Sequence, residues 1–118
     1  MSFRTDRLNS EMRKVIADII ENKIKDPRKS QMVSVMRVEV AKDLKTAKVY
    51  LSIFGDVAKA DETFSAVVNA AGFIRRELSL VFNEIRTVPA LEFRKDNSLE
   101  YSSKIDSILE EIRNGDDN

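Results

Sequence analysis

The sequence predicts an α+β fold, with element order α-β-β-α-kink-α-β, a C-terminal helix, and a three-stranded sheet covered by helices. Three patterns predict it. Apolar residues recur three and four positions apart from Leu8 to Ile24 and again from Phe64 to Ile85, which is the period of an amphipathic helix. Between these stretches Ala47, Val49, Leu51 and Ile53 alternate with Lys48, Tyr50 and Ser52, the period of a strand with one buried face. Finally, 118 residues with three Gly, two Pro and no long polar run suit one domain without a linker. A single domain over residues 1–118 is therefore expected, its acidic tail frayed from about 114 to 118.

The first helix is expected from Arg4 to about Ile24, with Leu8, Met12, Val15, Ile16, Ile19, Ile20 and Ile24 on one stripe. Its other face pairs opposite charges three or four residues apart, as exposed helices do. Pro27 disfavours helical geometry at Asp26 and stops the helix there. The first strand, Met32 to Val40, is rich in β-branched residues but changes phase: Val33 and Val35 share one parity, and Met36, Val38 and Val40 the other. Since one residue of slip turns a strand over, a bulge or bend is expected near Met36. The second strand, Thr46 to Phe54, alternates cleanly. The short polar link 41–45 makes the two an antiparallel hairpin with Lys42, Lys45 and Lys48 around its tip.

Gly55-Asp56 closes that strand and opens a helical region whose stripe runs Phe64, Val67, Val68, Ala71, Ile74, Leu78, Val81, Phe82 and Ile85. The register passes through Gly72. The residues alone leave two readings open: a tolerated glycine in one long helix, or a kink at Ala70-Ala71-Gly72 between two. Pro89 marks a turn, and Leu91 to Arg94 reads as a short third strand. Asn97 with Glu100 has the form of a helix start, and Tyr101, Ile105, Ile108, Leu109 and Ile112 stripe the last helix.

Composition narrows the function. The chain has no Cys and no His, which removes thiol nucleophiles, disulfides, the usual zinc ligands and imidazole acid–base catalysis. Its three glycines do not form a phosphate-cradling loop. Glu77, Glu84, Glu92 and Asp96 stand without a nucleophile or ligand cluster and read as a solvated face. No enzyme activity, cofactor or metal is expected. The polar N-terminal stretch and the short apolar runs predict a cytoplasmic protein with no membrane partner. Equal totals of 20 cations and 20 anions hide a split: residues 1–60 carry 13 Lys and Arg against 8 Asp and Glu, and residues 61–118 carry 7 against 12. A neutral chain divided this way can present a basic surface to a polyanion.

This element order is that of a type II KH domain, in which a G-x-x-G loop between the middle helices clamps nucleotides. Ala70-Ala71-Gly72 stands at that position and argues against the usual clamp. A more specific resemblance runs through Arg4 with Arg7, Lys25-Asp-Pro-Arg28, Val38-Glu-Val40, Asp43-Leu44, Ala47-Lys-Val-Tyr50, Gly55-Asp56, Ala70-Ala-Gly-Phe-Ile-Arg-Arg-Glu-Leu78, Val88-Pro-Ala-Leu-Glu-Phe93 and Asp96-Asn-Ser-Leu-Glu100. In order and spacing these stretches resemble the ribosome-binding factor A family over roughly residues 4–112. Ser102-Ser103 depart from the Gly-Ala pair common there.

The resemblance implies a KH-like fold with a kink at Ala70, Ala71 and Gly72. It also implies a monomeric factor that binds free 30S ribosomal subunits and assists late folding and processing of 16S rRNA at its 5′ region, especially in the cold. Contacts would go mainly to phosphate and shape, since a paired RNA hides its base edges. The candidates are Arg4, Arg7, Lys14, Lys25, Arg28 and Lys29 on the first helix and its exit, Arg37, Lys42, Lys45 and Lys48 on the hairpin, and Arg75 and Arg76 after the kink. Two other readings remain: a generic KH-type binder of single strands, for which Tyr50 and Phe54 are the outward aromatics, and a carboxylate nuclease.

Overall fold

The computed structural model describes residues 3–83 and 87–96. The first helix, α1 (Phe3–Asn22), follows its apolar stripe: Met12, Ile16, Ile19 and Ile20 are sealed from water, with Leu8, Val15 and Ile24 packed at the margin. Each such buried side chain contributes about 1.5–3 kcal/mol through the water it sheds. The helix stops two residues short of the expected Ile24, a difference within the fraying of helix ends. Its buried stripe lies on β1 (Val33–Val40), to which Asn9 adds a polar tie: its Oδ1 accepts the Val40 backbone N–H at 2.9 Å.

β1 pairs antiparallel with β2 (Thr46–Ile53), and the register shifts between Val35 and Arg37. That bulge is the one the change of parity predicts. It turns Val35 and then Val38 and Val40 to the same buried side, while Arg37 and Glu39 face water. The joining turn is anchored by Leu44 N–H to Ala41 C=O and Ala41 N–H to Thr46 C=O, each 2.9 Å, and by Asp43 Oδ1, which accepts the Lys45 N–H at 3.0 Å. Leu44 holds φ 61°, left-handed backbone in which its Cβ crowds the following carbonyl at a cost of about 1–2 kcal/mol.

Asp56 caps α2 (Val57–Asn69) through Oδ1, which accepts the Ala58 N–H at 2.8 Å. Before it, Gly55 holds φ 122°, and a Cβ there would fall 1.9 Å from Gln31 Oε1, so the turn out of β2 requires glycine. α2 ends where Ala70 leaves helical geometry (φ −89°, ψ 7°), and α3 (Ala71–Val81) starts directly after it. The interruption therefore falls on Ala70. Gly72 lies in the first turn of α3, where a Cβ would meet nothing within 4 Å. The break also redirects the stripe: α2 buries Thr63, Ala66 and Val67 and α3 buries Ile74 and Leu78, whereas Val68 and Val81, expected inside, are exposed.

β3 (Ala90–Lys95) pairs parallel with β2, giving a sheet of order β1-β2-β3. Its bounds extend the expected strand by a residue at each end. The inner face (Val35, Val38, Val40, Ala47, Val49, Leu51) joins α1, α2 and α3 in one core. Ile85 and the helix expected after Asn97 lie outside the described residues. Among the described residues no helix is long and apolar enough to cross a membrane.

Thr63, wholly buried on α2, holds the α1–β1 loop. Its Oγ1 accepts the N–H groups of Ser30 and Gln31, both at 3.3 Å, and donates to the Arg28 carbonyl at 3.2 Å. Thr63→Val should lower unfolding free energy in urea by about 1–3 kcal/mol, since it removes the buried hydroxyl that joins three backbone groups of the loop without changing side-chain volume much. Gly72→Ala should raise it by about 0.5–1 kcal/mol in the same measurement, because the alanine stiffens the unfolded chain and meets open space.

Candidate nucleic-acid interface

The cations expected on one basic surface are spread over the fold: Lys14 lies on α1, Arg37 on the outer face of the sheet and Arg75 and Arg76 on α3, and the remaining lysines gather at two ends of the sheet. At the hairpin end, Lys42 and Lys45 sit in the β1–β2 turn and Lys48 just inside β2, all exposed. Three neighbours fix this end. Asn9 ties α1 to Val40, the Ala90 N–H donates to the Lys45 carbonyl at 2.9 Å, and Arg75 grips the two residues before Ala90. At the opposite end lies the α1–β1 loop with Lys25, Arg28 and Lys29, held by Thr63. An eight-residue strand separates the two ends by about 23 Å at the usual rise per residue.

Not every candidate is available to a ligand. Arg28 is folded back on Asp26: its Nη2 donates to Oδ2 at 2.7 Å, its Nε reaches both carboxylate oxygens at 3.2 Å, and its backbone N–H donates to Oδ1 at 2.9 Å. These hydrogen bonds hold the Asp26 carboxyl below its ordinary pKa. Arg75 is spent inside the fold, its Nε donating to the Pro89 carbonyl at 3.1 Å and its Nη2 to Val88 at 2.9 Å. That fork spans two consecutive carbonyls, a geometry lysine cannot reproduce. Arg7 donates to Glu11 Oε1 at 3.2 Å along α1. Arg4 opens α1, but its side chain lies outside the described residues.

Arg37 projects from the bulged strand onto the open face of the sheet. Its guanidinium lies 4.0 Å from the centre of the Tyr50 ring and pairs with Glu39 at 3.2 Å. Across β2, Arg94 pairs with Glu92 at 2.5 Å. Register places Arg37, Tyr50 and Arg94 in one row and Glu39, Lys48 and Glu92 in the next. The row arrangement satisfies charge across strands and covers one face of the tyrosine.

Lys14, Lys25, Lys29, Lys42, Lys45, Lys48 and Arg76 make no ion pair among the described residues. These are the cations no carboxylate holds at ion-pair distance among the described residues, Lys48 alone having glutamates, Glu39 and Glu92, opposite it on both neighbouring strands. Composition missed Thr63 and Asn9, the residues that position both ends. A signal for each exists: Thr63 stands four before Val67 and Asn9 three before Met12, polar residues on stripes that go inside. No three Asp or Glu among the described residues are close enough to hold a metal ion.

An α+β domain of the KH-like order, presenting lysines from turns at both ends of its sheet, defines a binding module of that class. Residues 4–109 match the family model described as ribosome-binding factor A. The ribosome-binding factor A of Clostridium tetani is 44% identical over 115 residues, covering 98% of this chain and 94% of the relative. The crystal structure of ribosome-binding factor A from Thermus thermophilus superposes with TM-score 0.69 at 22% identity, over 80% of this chain and 97% of that one. A Thermus thermophilus ribosome binding factor A fitted into the cryo-EM map of a 30S–RbfA complex matches with TM-score 0.62 at 24% identity, over 77% of this chain and 93% of that one. This chain belongs to the ribosome-binding factor A family.

Since Arg75 serves the fold, Arg75→Met should lower stability by about 1–3 kcal/mol, as it leaves two carbonyls without their charged donor. Arg76→Met, at an exposed residue without an ion pair among the described residues, should stay within about 0.5 kcal/mol of the parent. Thermal melting of both variants checks the contrast.

Proposed function

We propose that this protein binds free small ribosomal subunits and assists the late folding and 5′ processing of 16S rRNA. The observation that carries the reading is the set of lysines without ion pairs among the described residues at two rigidly held ends, Lys42, Lys45 and Lys48 on one and Lys25 and Lys29 on the other. A relative of the same fold has been fitted into a 30S complex, which supports this choice of partner. Two cationic ends about 23 Å apart match separate phosphate tracks better than one continuous groove.

On this reading the factor, which has no cysteine and no histidine, acts by differential binding. It stabilises the rRNA arrangement in which both ends are engaged and leaves the alternative unsupported. RNA mispairings last longer at low temperature, which is the physical basis for a role in the cold. Normal precursor rRNA levels in a cold-grown deletion strain would remove that part of the reading. The single-strand reading fits less well, because base stacking calls for a series of open aromatic faces: of the two outward aromatics, Arg37 covers one side of Tyr50, which leaves Phe54 as the exposed one.

Gradient sedimentation tests the whole proposal: the protein should travel with free small subunits and be absent from joined ribosomes. Charge reversal of Lys42 with Lys45, or of Lys25 with Lys29, should weaken subunit binding and lower the salt slope by about one for each phosphate the variant no longer neutralises. An unchanged slope in both double variants would exclude these ends as the RNA-facing surface.

A further inference from the structure

We propose that Leu44 is a recognition residue that packs against an unpaired base of the RNA while Lys42 and Lys45 hold the phosphates on either side. The inference rests on the small-subunit reading above and names the contact made at the hairpin end.

Three observations meet in this turn. Leu44 is, among the described residues, the one non-glycine residue with positive φ, at 61°. A turn that needed only this backbone would be served better by glycine or asparagine, which enter the left-handed region with little strain. The leucine is therefore not there for the turn. Nor is it there for the core: the side chain is 44% exposed and belongs to neither the buried cluster nor its margin. Strain of this kind, held in place by surrounding hydrogen bonds, concentrates where a side chain is presented to a ligand.

The surroundings say which ligand. Lys42 and Lys45 lie on either side of the leucine, exposed and without ion pairs among the described residues; the one carboxylate of the turn, Asp43, accepts the Lys45 backbone N–H, and the two ammonium groups leave the tip with a net positive charge that attracts a polyanion. Between two phosphate-binding ammonium groups, an apolar side chain needs a flat apolar partner. A paired base offers none, because its faces are stacked within the helix and the shallow groove is lined with hydroxyls. An unpaired base offers its whole face. The tip is also pre-organised: Leu44, Ala41, Lys45 and Ala90 have their backbone N–H groups hydrogen-bonded, so docking orders little further chain.

The test uses the full chain, purified small subunits and two substitutions. Leu44→Asn keeps the left-handed turn at lower strain and removes the apolar surface. Leu44→Met keeps the apolar surface. Leu44→Asn should melt at or above the parent temperature yet bind subunits about fivefold more weakly with an unchanged salt slope, whereas Leu44→Met should stay within about twofold of the parent. In 2′-hydroxyl acylation probing of the bound rRNA, the parent and Leu44→Met should protect an unpaired nucleotide, its base held by the contact, that Leu44→Asn leaves reactive. Equal affinity and equal protection with Leu44→Asn would overturn the assignment. So would weakened binding with every nucleotide still protected, since the leucine would then rest on protein. Failure of the parent chain to bind subunits would remove the function reading and this contact with it.

Discussion

Met12, Ile16, Ile19 and Ile20 on one side, and Val38, Val49 and Leu51 on the other, have almost no access to water. This apolar seam between α1 and the inner face of the sheet is what the other features are arranged around. It fixes which way every strand residue points, because a pleated strand has only two sides. With the valines and leucine committed inward, Arg37, Glu39, Lys48 and Arg94 have to stand on the outer face. The Met36 bulge serves the same seam: without it, Val35 and Val38 would lie on opposite sides and one of them would be lost to the core.

The polar contacts then set the ends. Asn9 and Thr63 each place a side-chain oxygen among apolar neighbours and direct it at backbone N–H groups that no strand or helix ladder serves. Buried groups of this kind tolerate one arrangement and penalise others. Both basic turns are thus tied by hydrogen bonds to neighbouring elements, although both are loops on the surface. Lys23 adds a third tie, pairing with Glu77 at 3.1 Å to join α1 to α3.

Much of this is legible in the sequence, and what is not has an identifiable reason. Periodicity reports direction along one element, so it gives α1, the hairpin, the bulge and β3. It leaves the helix interruption open, since the stripe runs on through Gly72; the family resemblance places a kink at Ala70-Ala71-Gly72, and the break falls on Ala70. What periodicity does not report is which charges meet. Asp26 and Arg28 are two residues apart, a spacing at which side chains on a helix do not face each other, and the turn at Pro27 folds one onto the other. Arg75 is adjacent to Arg76 and chemically identical, yet one grips the Val88 and Pro89 carbonyls and the other faces water. Counting cations therefore singles out the basic half of the chain as the expected binding surface but leaves open which members are spent within the fold. Resemblance to the family supplies the partner, which no local pattern contains.

The parallel pairing of β3 with β2 bears on how the chain is built. α1 and the β1–β2 hairpin lie within residues 3–53, whereas the strand that completes the sheet ends at Lys95. A nascent chain leaving the ribosome exposes the hairpin first, and the whole α2–α3 crossover has to emerge before the third strand takes its place. Until then β2 carries an open edge along its entire length, ready to accept any extended segment nearby. The time taken to synthesise residues 54–95 thus bears on how long that edge stays unguarded.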